Sequence, residues 1–429
     1  MELAPVRGTL DLLPPAGGRM RALYDRAARL AHLYGYRYVE TPTLESTDLF
    51  STTSGHSSDV VSKEMYTFED RGGRSLTLRP EGTAPVMRAY LDDMHNQISP
   101  FKAYYLTRMY RYGRPQAGRY REHRQFGIEV FGVESPAADV EVILLGDRYL
   151  RGLGLSRYRL EINSIGDENC RPAYREELLK YLREHRDELT DEHRDRFEQN
   201  PLRVLDCNDE ACRRVAEGAP KIADHLCEPC REHFEGVLAG LQRWGIEATQ
   251  TATLVRGLDY YTRTAFEFVS EVLSQAQATL FGGGRYDGLA EALGGPHVPG
   301  VGFGMGLERV LLALEDEGIA PPEEAPLDCF VVSVGPELRT KAEDITNALR
   351  TARLSAELSF DDRPLKAQFR MADRAGAQFA VIAGEKELAF GRVTVRRLSD
   401  GEQRVLSIDR AIAWIKGGDE VIGIEGRGR

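Results

Sequence analysis

No stretch of this chain approaches the roughly 20 uninterrupted apolar residues that cross a bilayer, so no membrane partner is expected. Cysteine is scarce, with six in 429 residues. That is too few for a disulfide framework, and a reducing, cytoplasmic setting is expected. Met1-Glu2-Leu3-Ala4-Pro5 has neither the basic nor the apolar region of a secretory signal. Internal repeats and low-complexity tracts are also missing, which excludes a repeat architecture. An excess of basic residues is lacking too: the net charge is −11, which argues against a general nucleic-acid coat.

What remains is a balance of 42% hydrophobic and 29% charged residues, the signature of a folded chain long enough for two or three cores. The charge is uneven. The segment from Asp328 to Arg429 holds about 17 basic and 16 acidic residues, so the rest carries about −12. Between Lys102 and Arg124 seven basic residues accompany one acid, with five tyrosines interleaved. That pattern fits either a solvated hairpin with an aromatic face or an anion site for a nucleotide or RNA backbone.

Leu23, Ala27, Leu30, Ala31 and Tyr34 recur at helical spacing and predict a helix over 19–34, ended by Gly35. A short strand over 36–40 follows, stopped by Pro42. Helices are expected over 139–153 and 307–314, and a strand over 158–162. The stretch 168–198 reads as helices with broad solvated faces and little chemistry, part of a helical insertion over about 168–250. Pro321-Pro322-Glu323-Glu324-Ala325-Pro326 marks a domain boundary. Beyond it strands (329–334, 379–383, 392–396) alternate with helices (338–354, 408–415), which predicts a small α/β domain. The expected layout is 1–325, then 326–420, then a tail at 421–429 without assigned role.

Residues 104–112 and 121–131 read as a hairpin around Gly113-Arg114-Pro115-Gln116-Ala117-Gly118. In its return strand, alternation puts Arg124, Phe126, Ile128 and Val130 on a face that should pack on a helix. His123, Gln125, Gly127, Glu129 and Phe131 take the other, where Gly127 leaves room for a ligand. Arg309 sits in the first turn of a helix, where the dipole opposes a cation. Either an anionic ligand or a pairing with Glu308 or Glu315 would reconcile it. Glu81-Gly82-Thr83 offers a carboxylate and a hydroxyl on a turn, and equally reads as a cap before a helix over 84–91. Gly300, Gly302, Gly304 and Gly306 admit close approach of backbone and ligand, or mark an ordinary buried strand.

The run from Arg108-Met109-Tyr110-Arg111 through Arg119-Tyr120-Arg121-Glu122-His123-Arg124-Gln125-Phe126-Gly127 resembles the second signature of class II aminoacyl-tRNA synthetases. Gly302-Phe303-Gly304-Met305-Gly306-Leu307-Glu308-Arg309 resembles the third, and the helix–strand–Pro42 unit the first. Val255-Arg256-Gly257-Leu258-Asp259-Tyr260-Tyr261 and Gly282-Gly283-Gly284-Arg285-Tyr286-Asp287-Gly288 narrow the resemblance to the histidine-specific enzymes. The resemblance covers nearly the whole chain.

It implies an α+β fold: a class II antiparallel sheet flanked by helices, a helical insertion, and a C-terminal α/β anticodon-binding domain. It implies a histidine–tRNA ligase that joins L-histidine to AMP from ATP, with Mg²⁺ bridging the phosphates, then loads tRNA(His). A homodimer is implied as well. Arg111, Arg256 and Arg309 would be the catalytic cations, Arg111 and Arg309 gripping ATP and Arg256 standing near the substrate carboxylate. Glu81, Gly82, Thr83 and Gln125 would hold the ammonium. Glu129, Tyr260, Tyr261 and Tyr286 would surround the imidazole. The family commonly carries an acid where this chain has Gly113.

Cys207, Cys212, Cys227 and Cys230 could form a structural zinc site, but the first pair has four intervening residues where two are usual. Free thiols are the favoured reading, and no metal ligand is assigned. The rival function is a non-catalytic, histidine-sensing paralogue such as a regulatory subunit of ATP phosphoribosyltransferase. Retention of the three arginines and of the C-terminal domain favours the enzyme.

Overall fold

The computed structural model describes residues 4–54, 60–94, 99–205, 207, 209–255, 260–274 and 277–417. Two compact units meet in sequence between Glu323 and Glu324.

The first unit is built on an eight-stranded sheet. Its order is Arg37–Tyr38, Phe101–Tyr110, Glu122–Phe131, Gly300–Gly306, Thr279–Arg285, Thr262–Ser270, Tyr158–Ser164 and Ala248–Gln250. The six central strands are antiparallel, and each edge strand is parallel to its neighbour. Phe126, Ile128 and Val130 pack with Leu23 and Ala27 of the helix Ala16–Leu33 and with Val142, Ile143 and Leu145 of the helix Pro136–Gly152. The predicted apolar face therefore meets helices. Gly35, at φ +80°, ends the first of these as glycine can at small cost. Leu44–Ser46, Ser75–Leu78 and Tyr66–Glu69 form a separate three-stranded sheet.

Buried polar groups lock the second helix to the sheet. Arg285 is fully buried and donates to Asp139 at 2.6 Å, to Asp287 at 3.0 Å and to the Val133 carbonyl at 2.9 Å. Burial alone would raise the Asp139 carboxyl, but the Arg285 charge and the His233 ring, whose Nε2 stands 3.3 Å away, more than offset it, holding it at about 2.

Within the insertion, Arg171–Glu184 buries Tyr174, Leu178, Leu179 and Leu182. Arg171 Nε donates to the Ile165 carbonyl at 2.9 Å, and its Nη2 donates to the Tyr261 carbonyl. The helix Glu228–Arg243 packs Phe234, Val237 and Leu241 into the main core, and Ala248–Gln250 joins the main sheet. The last part of the 168–250 segment thus belongs to the body of the unit. The four cysteines read as one group are split in space: Cys227 and Cys230 lie with Asp167 and Cys170, whereas Cys207 and Cys212 lie with His193. The reading of residues 168–198 as chemically silent overlooked Cys170, which sits at the start of the first helix.

The second unit is a five-stranded sheet in the order Ala356–Leu358, Cys329–Ser333, Phe379–Ala383, Arg392–Arg397, Gln403–Ser407. Its first three strands are parallel and the rest antiparallel. The helices Arg339–Thr351 and Ile408–Ile415 bury Ile345, Leu349, Ala411 and Trp414 in its core. The tail at 421–429 lies outside the described residues. Among the described residues, no helix is long and apolar enough to cross a membrane.

Candidate active site

Strand register builds the floor of a cleft of about 390 Å³. Tyr105, Gly127, Gly304, Gly282 and Glu267 face one another across five adjacent strands. One row over stand Ala103, Glu129, Gly302, Gly284 and Ala265. Residues two apart on a strand share a face, so the alternating glycines of 300–306 add no side chains of their own to the floor.

Two of these glycines serve neighbours in the protein. A Cβ on Gly127 would stand 2.1 Å from the Tyr105 ring, and one on Gly302 would stand 2.1 Å from Glu129 Oε2. The space read at Gly127 as room for a ligand is occupied by Tyr105. Gly304 is likewise filled by Gln125, while Gly306 faces open space at the cleft.

Arg111 and Arg309 line one end of the cleft together with Arg119 and His123. Arg111 Nε donates to the Pro80 carbonyl at 2.7 Å. Arg309 donates to the carbonyls of Gly118 at 3.3 Å and Thr279 at 2.5 Å. Neither has a carboxylate partner among the described residues. Glu308 is held instead by Arg124, through the backbone N–H at 3.0 Å and the guanidinium at 3.2 Å. Burial, and then the charges of Arg119 and Arg111, lower the pKa of Arg309. Burial and the charges of Arg111 and Arg309 drive His123 down to about 3, so it is neutral at physiological pH. Gly113 lies beneath Arg119, which pairs with Glu64 from another segment; a Cβ at 113 would meet Arg119 Nε at 3.2 Å. Glu64 brings a carboxylate to this rim.

Glu81, Gly82, Thr83 and Gln125 line the other end with Tyr260 and Tyr261. Glu81 accepts from the backbone N–H groups of Thr83 at 2.5 Å and Ala84 at 2.9 Å, so it does cap the helix Thr83–Ala89 while facing the cleft. Burial raises its pKa, partly countered by those N–H groups and by Arg111. Gln125 Oε1 is buried without a hydrogen-bond partner among the described residues.

Glu129 and Tyr286 stand one layer behind the cleft wall. Glu129 accepts from Thr83 Oγ1 at 2.8 Å, from the Tyr105 hydroxyl at 3.3 Å and from the Tyr286 hydroxyl. Burial pushes its carboxyl up to about 8; the hydroxyls of Tyr286 and Thr83 pull it back, and the nearby Glu81 charge adds to the rise. The rings of Tyr260 and Tyr261 lie 4.8 Å apart, and both stand edge-on to Tyr286. Arg256 lies outside the described residues.

Of the residues not singled out from sequence, Tyr105 and His123 were within reach, since both sit on strands whose alternation was readable. Glu64, Glu267 and Thr279 carried no such signal; they reach the cleft only through long-range pairing.

A family model described as histidyl-tRNA synthetase matches residues 8–310, and one described as anticodon binding domain matches residues 328–417. Among curated proteins, a histidine–tRNA ligase of Moorella thermoacetica is 48% identical over 411 residues, covering 96% of this chain and 97% of that protein. One of Halothermothrix orenii is 46% identical, covering 94% and 96%. Among solved structures, apo histidyl-tRNA synthetase of S. aureus superposes with a TM-score of 0.81 at 37% identity, covering 97% of this chain and 100% of that one. An ATP phosphoribosyltransferase regulatory subunit/histidyl-tRNA synthetase from Bacillus halodurans is similar in fold, with a TM-score of 0.61 at 24% identity. With a cleft that carries Arg111 and Arg309 without carboxylate partners and the Gln125 acceptor without a hydrogen bond among the described residues, and with relatives matched along nearly their whole length, the chain belongs to the histidyl-tRNA synthetase family.

Proposed function

We propose that this chain is a histidine–tRNA ligase that joins L-histidine to AMP in the cleft and then transfers it to the 3′ end of tRNA(His). The reading rests on one observation: among the described residues, the cleft holds two arginines without carboxylate partners at one end and an unpaired buried acceptor beside a carboxylate at the other. Those ends suit a triphosphate and an α-ammonium group.

A carboxylate is already an anion at neutral pH, so its attack on the α-phosphorus requires no general base. What the step needs is fixed positive charge to hold two anions together and take up charge as pyrophosphate departs. Arg111 and Arg309 supply it as planar forks that keep their protons, with Arg256 completing the set by resemblance. His123, kept neutral by the same charges, adds a donor or acceptor without competing for the phosphates. The open space over Gly306 admits the flat adenine ring. A Mg²⁺ ion accompanying ATP would supply further positive charge to the phosphates. Glu267, which accepts from Thr279 Oγ1 at 3.0 Å at the arginine end, is the carboxylate suited to meet it.

Glu81, Thr83 and Gln125 take the ammonium, and Gly82 lets the chain turn close beneath the Tyr105 ring. Tyr260, Tyr261 and Tyr286 enclose the imidazole, with Glu129 as acceptor for a ring N–H once one hydroxyl turns aside. An apolar isostere of histidine would leave these buried groups unpaired, which is how such a site discriminates. The second unit reads the anticodon. A homodimer and a cytoplasmic location complete the proposal.

The test is pyrophosphate–ATP exchange with each amino acid supplied singly. Exchange is expected with histidine alone. Exchange indifferent to histidine would overturn the proposed specificity, and histidine binding without any exchange would overturn the enzyme in favour of the sensing paralogue.

A further inference from the structure

Away from the cleft, the insertion brings four metal-ligating side chains to one point. Asp167, Cys170, Cys227 and Cys230 each offer an atom, and these atoms all lie within 4.8 Å of one another. They arrive as two pairs with identical i, i+3 spacing, 57 to 63 residues apart in the chain. Cys170 is the residue before the helix Arg171–Glu184, and Cys227 the residue before Glu228–Arg243, whose first turn carries Cys230.

The spacing of the atoms is informative. Cys170 Sγ stands 3.4 Å from Asp167 Oδ1, and Cys227 Sγ stands 3.7 Å from the same oxygen. A tetrahedral zinc ion with bonds of about 2.3 Å to sulfur and about 2.0 Å to oxygen sets its O···S edges at ~3.5 Å and its S···S edges at ~3.8 Å. The two O···S edges match these values, and all four donor atoms lie within 4.8 Å of one another.

A plain alternative is that Asp167 only caps the first helix, since its Oδ1 accepts from the Asn169 N–H at 3.0 Å. Capping accounts for one carboxylate oxygen. It does not account for three sulfurs, two of them from a distant helix, gathered around that carboxylate.

The geometry points to a structural zinc site formed by Asp167, Cys170, Cys227 and Cys230. Four protein ligands close the coordination sphere, which leaves no open position for catalysis. Each thiol that ligates gives its proton to solvent, so binding strengthens as pH rises. The ion fastens the entry of the insertion to the helix by which the chain returns to the main sheet. This site is independent of the reaction proposed above. His193, Cys207 and Cys212 gather only three donors among the described residues and are not included.

The experiment uses the full chain, expressed with zinc in the medium and freed of loose metal by gel filtration. Metal content is expected to include one tightly held zinc per chain at this site. Cys227→Ser should lose that equivalent, and Cys212→Ser should keep it. Because Cys227→Ser could unfold the insertion, Asp167→Cys is the companion variant, and it keeps four ligands. After metal removal and titration with Co²⁺, Asp167→Cys should gain about one third in thiolate-to-cobalt charge-transfer absorbance, as three sulfurs become four. Zinc-free protein that shows no charge-transfer band with cobalt overturns the site. So do equal metal contents in Cys227→Ser and the parent, or a cobalt spectrum in Asp167→Cys identical to that of the parent.

Discussion

Two arginines from the same half of the molecule, Arg285 and Arg309, are both largely withdrawn from water and are treated in opposite ways. Arg285 meets two carboxylates and two backbone carbonyls, and its pKa is raised. Arg309 meets only carbonyls, faces two other arginines, and its pKa is lowered. The first is an internal brace. The second is a cation with no carboxylate in hydrogen-bond contact among the described residues, and a binding site for anions is built from such deficits. Motif membership does not separate the two, since both lie in segments shared with the synthetases; local pairing does.

The sharpest test of this contrast is a double dissociation. Arg285→Ala strands Asp139 in the core and should cost about 3–5 kcal/mol in urea unfolding, the range for breaking a buried pair from one side. Arg309→Ala should leave the unfolding midpoint unchanged or higher, yet cut histidine-dependent pyrophosphate exchange by about 10³-fold, or ~4 kcal/mol of transition-state stabilisation. A stability loss in Arg309→Ala as large as in Arg285→Ala would erase the distinction.

A smaller effect is expected at the glycine floor. Gly302→Ala sets a methyl 2.1 Å from Glu129 Oε2 and 2.3 Å from the Ile128 carbonyl. It should destabilise by about 1–3 kcal/mol, as overpacking does, and also raise KM for histidine. Gly306→Ala, which meets nothing within 4 Å, should spare stability. At the ammonium end, Gln125→Ala should raise KM for histidine about tenfold, the worth of one or two hydrogen bonds, while KM for ATP stays near its parental value. Equal changes in both constants would place Gln125 elsewhere.

The smallest expected effect is in pH dependence. His123 titrates at about 3 in the folded protein against an ordinary 6.5. Between those values the unfolded chain binds a proton that the native one refuses, so the stability tied to His123 is complete above pH 6.5 and is lost as pH falls toward 3. His123→Gln should reduce the acid-side slope of unfolding free energy by at most ~1.4 kcal/mol per pH unit. Identical slopes would mean that the ring is not held neutral.

Much of the frame was legible because it depends on local periodicity. The helices around Leu23 and Val142, the hairpin faces, and the strands Phe379–Ala383 and Arg392–Arg397 follow from alternation or helical spacing alone. Of the proposed site residues, Glu81, Thr83, Arg111, Gln125 and Arg309 do share one cleft. What could not be read depends on register between distant strands. That Gly127 serves Tyr105 and Gly302 serves Glu129 follows from which residues stand opposite one another, and no single segment contains that information. The cysteines misled for the same reason: nearness in sequence paired Cys207 and Cys212 with Cys227 and Cys230, whereas folding paired the latter with Asp167 and Cys170.

Arg171, the first residue of the insertion's leading helix, donates to the carbonyl of Tyr261. An exchange of insertions between relatives, cut at that helix, would therefore sever a tie to the substrate-facing aromatic loop. A graft that moves residues 165–171 together with their partners around 261–263 keeps the clamp whole. One that divides them transplants a domain and, unintentionally, frees a wall of the cleft.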